Sequence, residues 1–215
     1  MAVDLQYNCI MQRSKTPTTK NSDAELIPGN IILIGMMGAG KTTVGKLLAN
    51  LVGKTFIDVD HEIQQRTGVG IPVIFEIEGE AGFRKRESEV LREVVQQQNI
   101  VLATGGGAIL YPDNRTLLRQ HGTVIYLCAP VSELRRRTHQ DKNRPLLQTG
   151  NAHAKLAGLF TQRDPLYRET AHIIMDSGKQ SARAFVQKLL QRLHQLNQES
   201  TGAELKNHPS VKQPK

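Results

Sequence analysis

Apolar positions in this chain fall into short blocks separated by longer amphipathic stretches, and that rhythm predicts a fold before any motif is considered. The run Ile31-Ile32-Leu33-Ile34 reads as a buried strand, and Val44, Leu47, Leu48 and Leu51 follow at helical spacing. Further along, the pattern predicts strands over about 30–34, 55–59, 100–103, 123–128 and 171–175. Helical stretches are expected over 41–52, 60–67, 72–98, 113–120, 131–139, 153–164 and 181–196. The last helix rests on Val186, Leu189, Leu190 and Leu193, spaced i, i+3, i+4, i+7, which need only a core role. Five strands alternating with helices predict an α/β fold: a parallel sheet covered on both faces, with right-handed crossovers and ligands bound at the carboxyl ends of the strands.

The ends break this rhythm. Residues 1–28 are polar, rich in Thr, Lys, Ser and Asn, and aperiodic, so they read as a flexible extension. The segment 198–215 reads as a second flexible tail, which leaves one domain over 29–197. Cys9 and Cys128 are far apart and form no metal-type spacing, which points to a reduced compartment. The apolar runs fall short of a membrane span and the amino terminus lacks the apolar stretch of a signal peptide. The chain is therefore expected to be cytoplasmic, with no membrane partner.

A net charge of +8 sits mostly between the tails, with Arg135, Arg136, Arg137, Lys142 and Arg144 clustered around a single acid, Asp141. Three readings are open: a nucleic-acid patch, a solvated helix face, or arginines that close over anionic ligands. With no Trp and only nine other aromatics, stacking on bases is poorly supplied.

Gly35-Met36-Met37-Gly38-Ala39-Gly40-Lys41-Thr42 matches G-x-x-x-x-G-K-[ST], and it lies between a strand and a helix, the context that gives the motif meaning. Gly35, Gly38 and Gly40 let backbone N–H groups approach a phosphate, and the helix start adds unpaired donors and a favourable dipole. Lys41 would reach the β- and γ-phosphates, and the Thr42 hydroxyl would serve Mg²⁺.

Other constellations follow. Asp58 and Asp60 end the second expected strand, where positions i and i+2 share a side. Such a pair can divide between a metal's hydration shell and a substrate hydroxyl, or can be a helix cap plus a surface acid. Arg84 and Glu87 share a helix face, as a plain surface ion pair or as a carboxylate-binding fork with its orienting acid. Gly105-Gly106-Gly107, at the end of the third strand, would leave room for a ligand against the main chain. Arg144 in the polar stretch, with Pro145 after it, could swing over transferring phosphates, and Arg163 could supply a second fork. Asp113 after Pro112 reads as a helix start.

Taken together, these residues resemble the shikimate kinase family, from about Asn30 to Leu196. The resemblance implies a three-layer α/β/α P-loop kinase of the nucleoside monophosphate kinase type, with sheet order 2-3-1-4-5 and a mobile lid over about 138–152. It implies transfer of the ATP γ-phosphoryl group to the 3-hydroxyl of shikimate by a monomer using one Mg²⁺. Nucleotide contacts would come from Gly38, Ala39, Gly40, Lys41, Thr42, Thr43, Arg137, Arg144, Lys179 and Gln180, with the Asp176-Ser177-Gly178-Lys179 turn beside the adenine. Thr42 and Asp58 would hold the metal, the latter through water. Asp60 would act as base, and shikimate would meet Asp60, Arg84, Glu87, Gly105, Gly106, Gly107 and Arg163. Lys41 and Arg144 would complete the catalytic set. The two tails and a lid stretch that is not glycine-rich depart from the family. A gluconate or nucleoside monophosphate kinase on the same fold is disfavoured by the paired arginines with Asp60, and a nucleic-acid-dependent NTPase by the scarcity of aromatics.

Overall fold

The computed structural model describes residues 27–139 and 151–206. Residues 1–26 of the expected extension 1–28, most of the expected lid 138–152 with Arg144, and the end of the tail from 207 lie outside them.

Five parallel strands, β1 (Ile31–Ile34), β2 (Thr55–Asp58), β3 (Ile100–Ala103), β4 (Thr123–Cys128) and β5 (Ile173–Asp176), pair in the order β2-β3-β1-β4-β5. Ile31 lies opposite Val101 on one side and Thr123 on the other. Every residue of β1 and β3 is buried, which is why these strands read as unbroken apolar runs rather than alternating ones. The helices are α1 (Lys41–Val52), α2 (Val59–Thr67), α3 (Ile71–Val94), α4 (Pro112–His121), α5 (Val131–Thr138), α6 (Ala152–Thr170) and α7 (Ala182–Lys206). Helices α1 and α7 pack on each other, whereas α4 and α6 pack together and on β4. No described helix is long and apolar enough to cross a membrane.

Several expected boundaries shift, each for a local reason. The strand expected to reach 59 stops at Asp58, whose carboxylate accepts the Asp60 and His61 N–H groups and caps α2. Asp58 and Asp60 are therefore a cap and a first-turn residue, not two positions on one face of a strand. The single long helix expected over 72–98 is kinked at Gly79, with φ 69° and ψ −177°. Helix α6 does not stop before Pro165; it continues to Thr170, because buried Leu156, Arg163 and Tyr167 fix it against the sheet strongly enough to offset about 3 kcal/mol of proline penalty. Arg163 sits within this helix, inside the span 153–164 expected for it. Helix α7 overruns its expected end and carries 198–206 of the expected flexible tail as helix. Asp113 lies in the first turn of α4, with Pro112 at the helix start and Tyr111 as the cap residue.

Buried Asn30 fastens the entrance to the sheet. Its Nδ2 donates to the Gln97 and Val95 carbonyls at 2.8 and 3.4 Å, and its Oδ1 accepts from Ile100 N at 3.2 Å. Its carbonyl accepts from Thr123 N at 2.8 Å. Gly122 lies against that same carbonyl, and a Cβ there would sit 2.6 Å from the oxygen. Gly122→Ala should therefore destabilise the protein by roughly 1–3 kcal/mol through overpacking against backbone; unchanged chemical denaturation would show that this edge can shift.

Candidate active site

The phosphate loop leaves β1 and ends in α1, with Gly38 at φ 79° and Gly40 at φ 97°. Lys41 Nζ donates to the Gly35 and Met36 carbonyls at 2.8 and 3.0 Å, so its ammonium lies across the mouth of the loop. One residue on, the Thr42 hydroxyl donates to Asp58 Oδ2 at 2.6 Å. The sheet order makes this contact, since α1 touches β2 although 16 residues separate the partners in sequence. Among the described residues no group of three or more His, Cys, Asp or Glu forms a metal cage. A hydroxyl beside one carboxylate suits a hard cation that keeps most of its waters, as Mg²⁺ does.

A second half of the site lies on α3, α6 and the loop after β3. Arg84 Nη1 donates to Glu87 Oε2 at 2.7 Å, and the pair is almost fully enclosed, with side chains 6% and 0% exposed. The glycine run makes room for it. A Cβ on Gly105 would overlap Glu87 Oε1, and one on Gly107 would overlap the Arg84 guanidinium. Space, not backbone angle, excludes larger residues at both positions. Gly106 faces the phosphate loop, where its Cβ would lie 3.4 Å from Met37 N. Its carbonyl accepts from Arg163 Nη1 at 3.1 Å and from the Tyr167 hydroxyl. The glycine run, expected to leave room for a ligand, thus makes room for protein side chains.

The charges of this half are only partly matched to one another. Burial, and then repulsion from Arg84, hold the Arg163 pKa below its ordinary value despite the raising effect of Tyr167. Arg163 Nε is buried with no hydrogen-bond partner among the described residues. For Arg84, burial works against the charge, but Glu87 and Glu80 outweigh it and the pKa lies above its usual value. Burial pushes Glu87 up to about 7, against the attraction of Arg84 and with the repulsion of Asp60. Asp60 stands beside this cluster, its Oδ1 3.0 Å from where a Gly105 Cβ would be.

On the other side of the loop a pocket of about 290 Å³ is lined by Ala39, Gly40, Thr43, Val44, Arg136, Arg137, Ser177, Gln180, Ala182 and Phe185. Arg137 staples its walls together. Nη2 donates to the Ser177 carbonyl at 2.8 Å and to that of Gly178, and Nη1 reaches the Gly38 carbonyl at 3.4 Å. Glu133, held down to about 2 by Arg136 and then Arg137, orients the staple through Arg137 Nε at 2.8 Å. Gln180 Nε2 donates to the Asp176 carbonyl at 2.6 Å, which leaves its buried Oε1 as an acceptor with no partner among the described residues. That acceptor suits the amino group of a purine.

Most sequence-predicted residues converge. Gly38, Ala39, Gly40, Lys41, Thr42 and Thr43 form the loop and helix start, with Asp58 beside them. Asp60, Arg84, Glu87, Gly105, Gly106, Gly107 and Arg163 gather on one side, Arg137 and Gln180 on the other. Lys179 is exposed in the turn after β5 and does not line the pocket. Residues missed from sequence include Tyr167 and Phe185, whereas Ser177, expected in the turn beside the adenine, does line the pocket. Tyr167 lies four residues after Arg163 on the same helix face, a spacing that could have marked it.

The profile of the family described as shikimate kinase matches residues 37–194. The chain is 85% identical to a shikimate kinase of Nitrosomonas europaea over 198 residues, 92% of this chain and 94% of that protein. It is 64% identical to a shikimate kinase of Nitrosospira multiformis over 165 residues, 77% of this chain and 85% of that protein. It is also similar to the solved structure of shikimate kinase from Acinetobacter baumannii in complex with shikimate. That likeness has a TM-score of 0.78 at 52% identity over 81% of this chain and 97% of the other. A gluconokinase from Sinorhizobium meliloti 1021, at 17% identity and a TM-score of 0.51 over 85% and 99% of the two chains, shares the fold alone.

The raised Glu87 pKa has a signed consequence for stability. The folded protein keeps this proton between the ordinary value of 4.5 and about 7, whereas the unfolded chain loses it, so this contribution is complete below the lower value and is lost as pH rises through the higher. Wild type should lose on the order of 3 kcal/mol relative to Glu87→Gln across that window. Denaturation of both proteins at pH 4.5 and 8 measures it, and a pH-independent difference would refute a Glu87 that is neutral below neutrality.

Proposed function

The chain belongs to the shikimate kinase family, and from that premise we propose how its residues divide the transfer of a phosphoryl group from ATP to shikimate. The observation that carries the assignment is the pair of buried guanidiniums, Arg84 and Arg163, with Arg163 Nε buried and without a hydrogen-bond partner among the described residues. A carboxylate between two such forks satisfies both charge and hydrogen bonding.

With the carboxylate held there and the ring against the Gly105–Gly107 backbone, a hydroxyl comes to Asp60. Asp60 aligns it and takes its proton as the oxygen attacks the γ-phosphorus, while the bond to ADP breaks on the opposite side. The family resemblance identifies this hydroxyl as the 3-hydroxyl. Lys41 neutralises charge developing on the transferred group, and the loop N–H groups hold the remaining phosphates. Thr42 and Asp58 are the residues that would hold Mg²⁺, which when bound neutralises charge on the β- and γ-phosphates. The purine fits the pocket spanned by Arg137 and Gln180. Arg144, outside the described residues, completes the charge-neutralising set as the resemblance implies.

Shikimate-dependent release of ADP in a coupled assay tests the scheme. Asp60→Asn should lower turnover by roughly 10²- to 10⁴-fold while ATP binding stays nearly intact; near-normal turnover would make Asp60 structural. Arg163→Ala should raise the KM for shikimate by at least about tenfold, on the scale of a lost charge-assisted hydrogen bond, with little change in that for ATP. An equal rise in both would reassign Arg163 to general scaffolding.

A further inference from the structure

Arg84 has a second acidic partner that the assignments above leave without a role. Glu80 Oε1 accepts from Arg84 Nε at 3.3 Å and from Nη2 at 3.1 Å. Unlike Glu87, it is at the rim, with its side chain 46% exposed. The two acids approach different parts of the guanidinium, because Glu87 takes a hydrogen from Nη1. A guanidinium has five N–H donors in a fixed plane. Glu80 occupies the side edge made by Nε and Nη2, and Glu87 takes one Nη1 hydrogen. One hydrogen on Nη1 and one on Nη2 remain, a number that suits a bidentate carboxylate. The face of the plane is fixed separately, by the Gly107 backbone.

Helix α3 is built to supply this contact. The break at Gly79 restarts the helix, so that Glu80 opens the new run and Arg84 follows one turn later on the same face. The acid just before the break is committed elsewhere: Glu78 accepts from Arg86 Nε and Nη2 at 2.8 and 2.6 Å, across the kink. Glu80 is also close enough to Arg163 to offset part of that residue's loss of hydration, so it borders both forks.

We infer that Glu80 is a positioning residue for the substrate carboxylate, holding the side edge of Arg84 so that the two remaining donors are presented together to the acceptor. This rests on Arg84 being a carboxylate fork, as proposed above. A competing geometry, in which Glu80 is a stand-in that the carboxylate must displace, predicts the opposite sign.

Steady-state kinetics of Glu80→Ala, Glu80→Gln and Arg84→Ala, with the Glu80→Ala/Arg84→Ala double variant, decide between them. Glu80→Ala should raise the KM for shikimate about tenfold, the scale of a charge-assisted hydrogen bond at a partly exposed site. kcat and the KM for ATP should stay within about twofold, and Glu80→Gln, which keeps an acceptor oxygen, should recover part of the loss. In the Arg84→Ala background, Glu80→Ala should have no further effect, because its partner is gone. A lower shikimate KM in Glu80→Ala overturns the positioning role in favour of displacement. An unchanged KM, or an undiminished effect in the double variant, also overturns it. If Arg84→Ala itself leaves the shikimate KM unchanged, the fork assignment fails instead, which keeps the two failures distinct.

Discussion

The buried Arg84–Glu87 pair is the constraint around which the acceptor side is arranged. Enclosing two opposite charges costs several kcal/mol of lost hydration per ion, and one hydrogen bond seldom returns all of it. The structure offsets that cost by packing: two glycines after β3 leave room for the carboxylate and the guanidinium, and Glu80 adds a second anion to the side edge. Even so, Glu87 is pushed up to about 7 and keeps one oxygen unpartnered. Unused hydrogen-bonding capacity makes the pair poor as a stabilising device: the free Glu87 oxygen is an acceptor that suits a donor, while the two N–H donors left on Arg84 suit the anion proposed above.

The donor side is held by a different logic. There the donors proposed for the phosphates are backbone N–H groups, which need fixed loop geometry more than charge. Arg137 supplies this by bonding carbonyls of the loop and of the turn after β5, two segments that sequence keeps far apart. Glu133 is consumed in orienting it, so part of the basic cluster around Arg135–Arg137 is spent on internal pairing. The two sides meet at Gly106, where a side chain would point at the phosphate loop while the carbonyl holds Arg163 and Tyr167. Stacking of Tyr167 on Tyr126, with ring centroids 4.8 Å apart, ties that junction into the core.

Legibility from sequence varied with the range of the interaction responsible. Strands β1, β3 and β4 were readable because burial on both faces leaves an uninterrupted apolar run. The Arg84–Glu87 pair was readable because a helix turn brings positions i and i+3 together. Asp58 and Asp60 are legible as a pair, but only Asp58 belongs to the strand: Asp60 lies in the next helix, and nothing in the local sequence marks a strand-ending aspartate as that helix's cap. Pro165 misled for a related reason: its local penalty is real, but burial of Arg163 and Tyr167 on either side of it outweighs that penalty.

The chain's own sequence determined the α/β alternation, the phosphate loop in its strand–helix context and the residue types of the acceptor site, because these signals are carried by periods of two to four residues. Tertiary structure alone decided that the glycine run seats protein side chains, that Arg137 bridges loop and turn, that Tyr167 shares a carbonyl with Arg163, and that Glu80 holds the outer edge of Arg84. Three of those depend on which strand ends the order β2-β3-β1-β4-β5 brings side by side. The fourth depends on a single left-handed glycine that restarts a helix at the right phase, a choice that local propensity does not dictate.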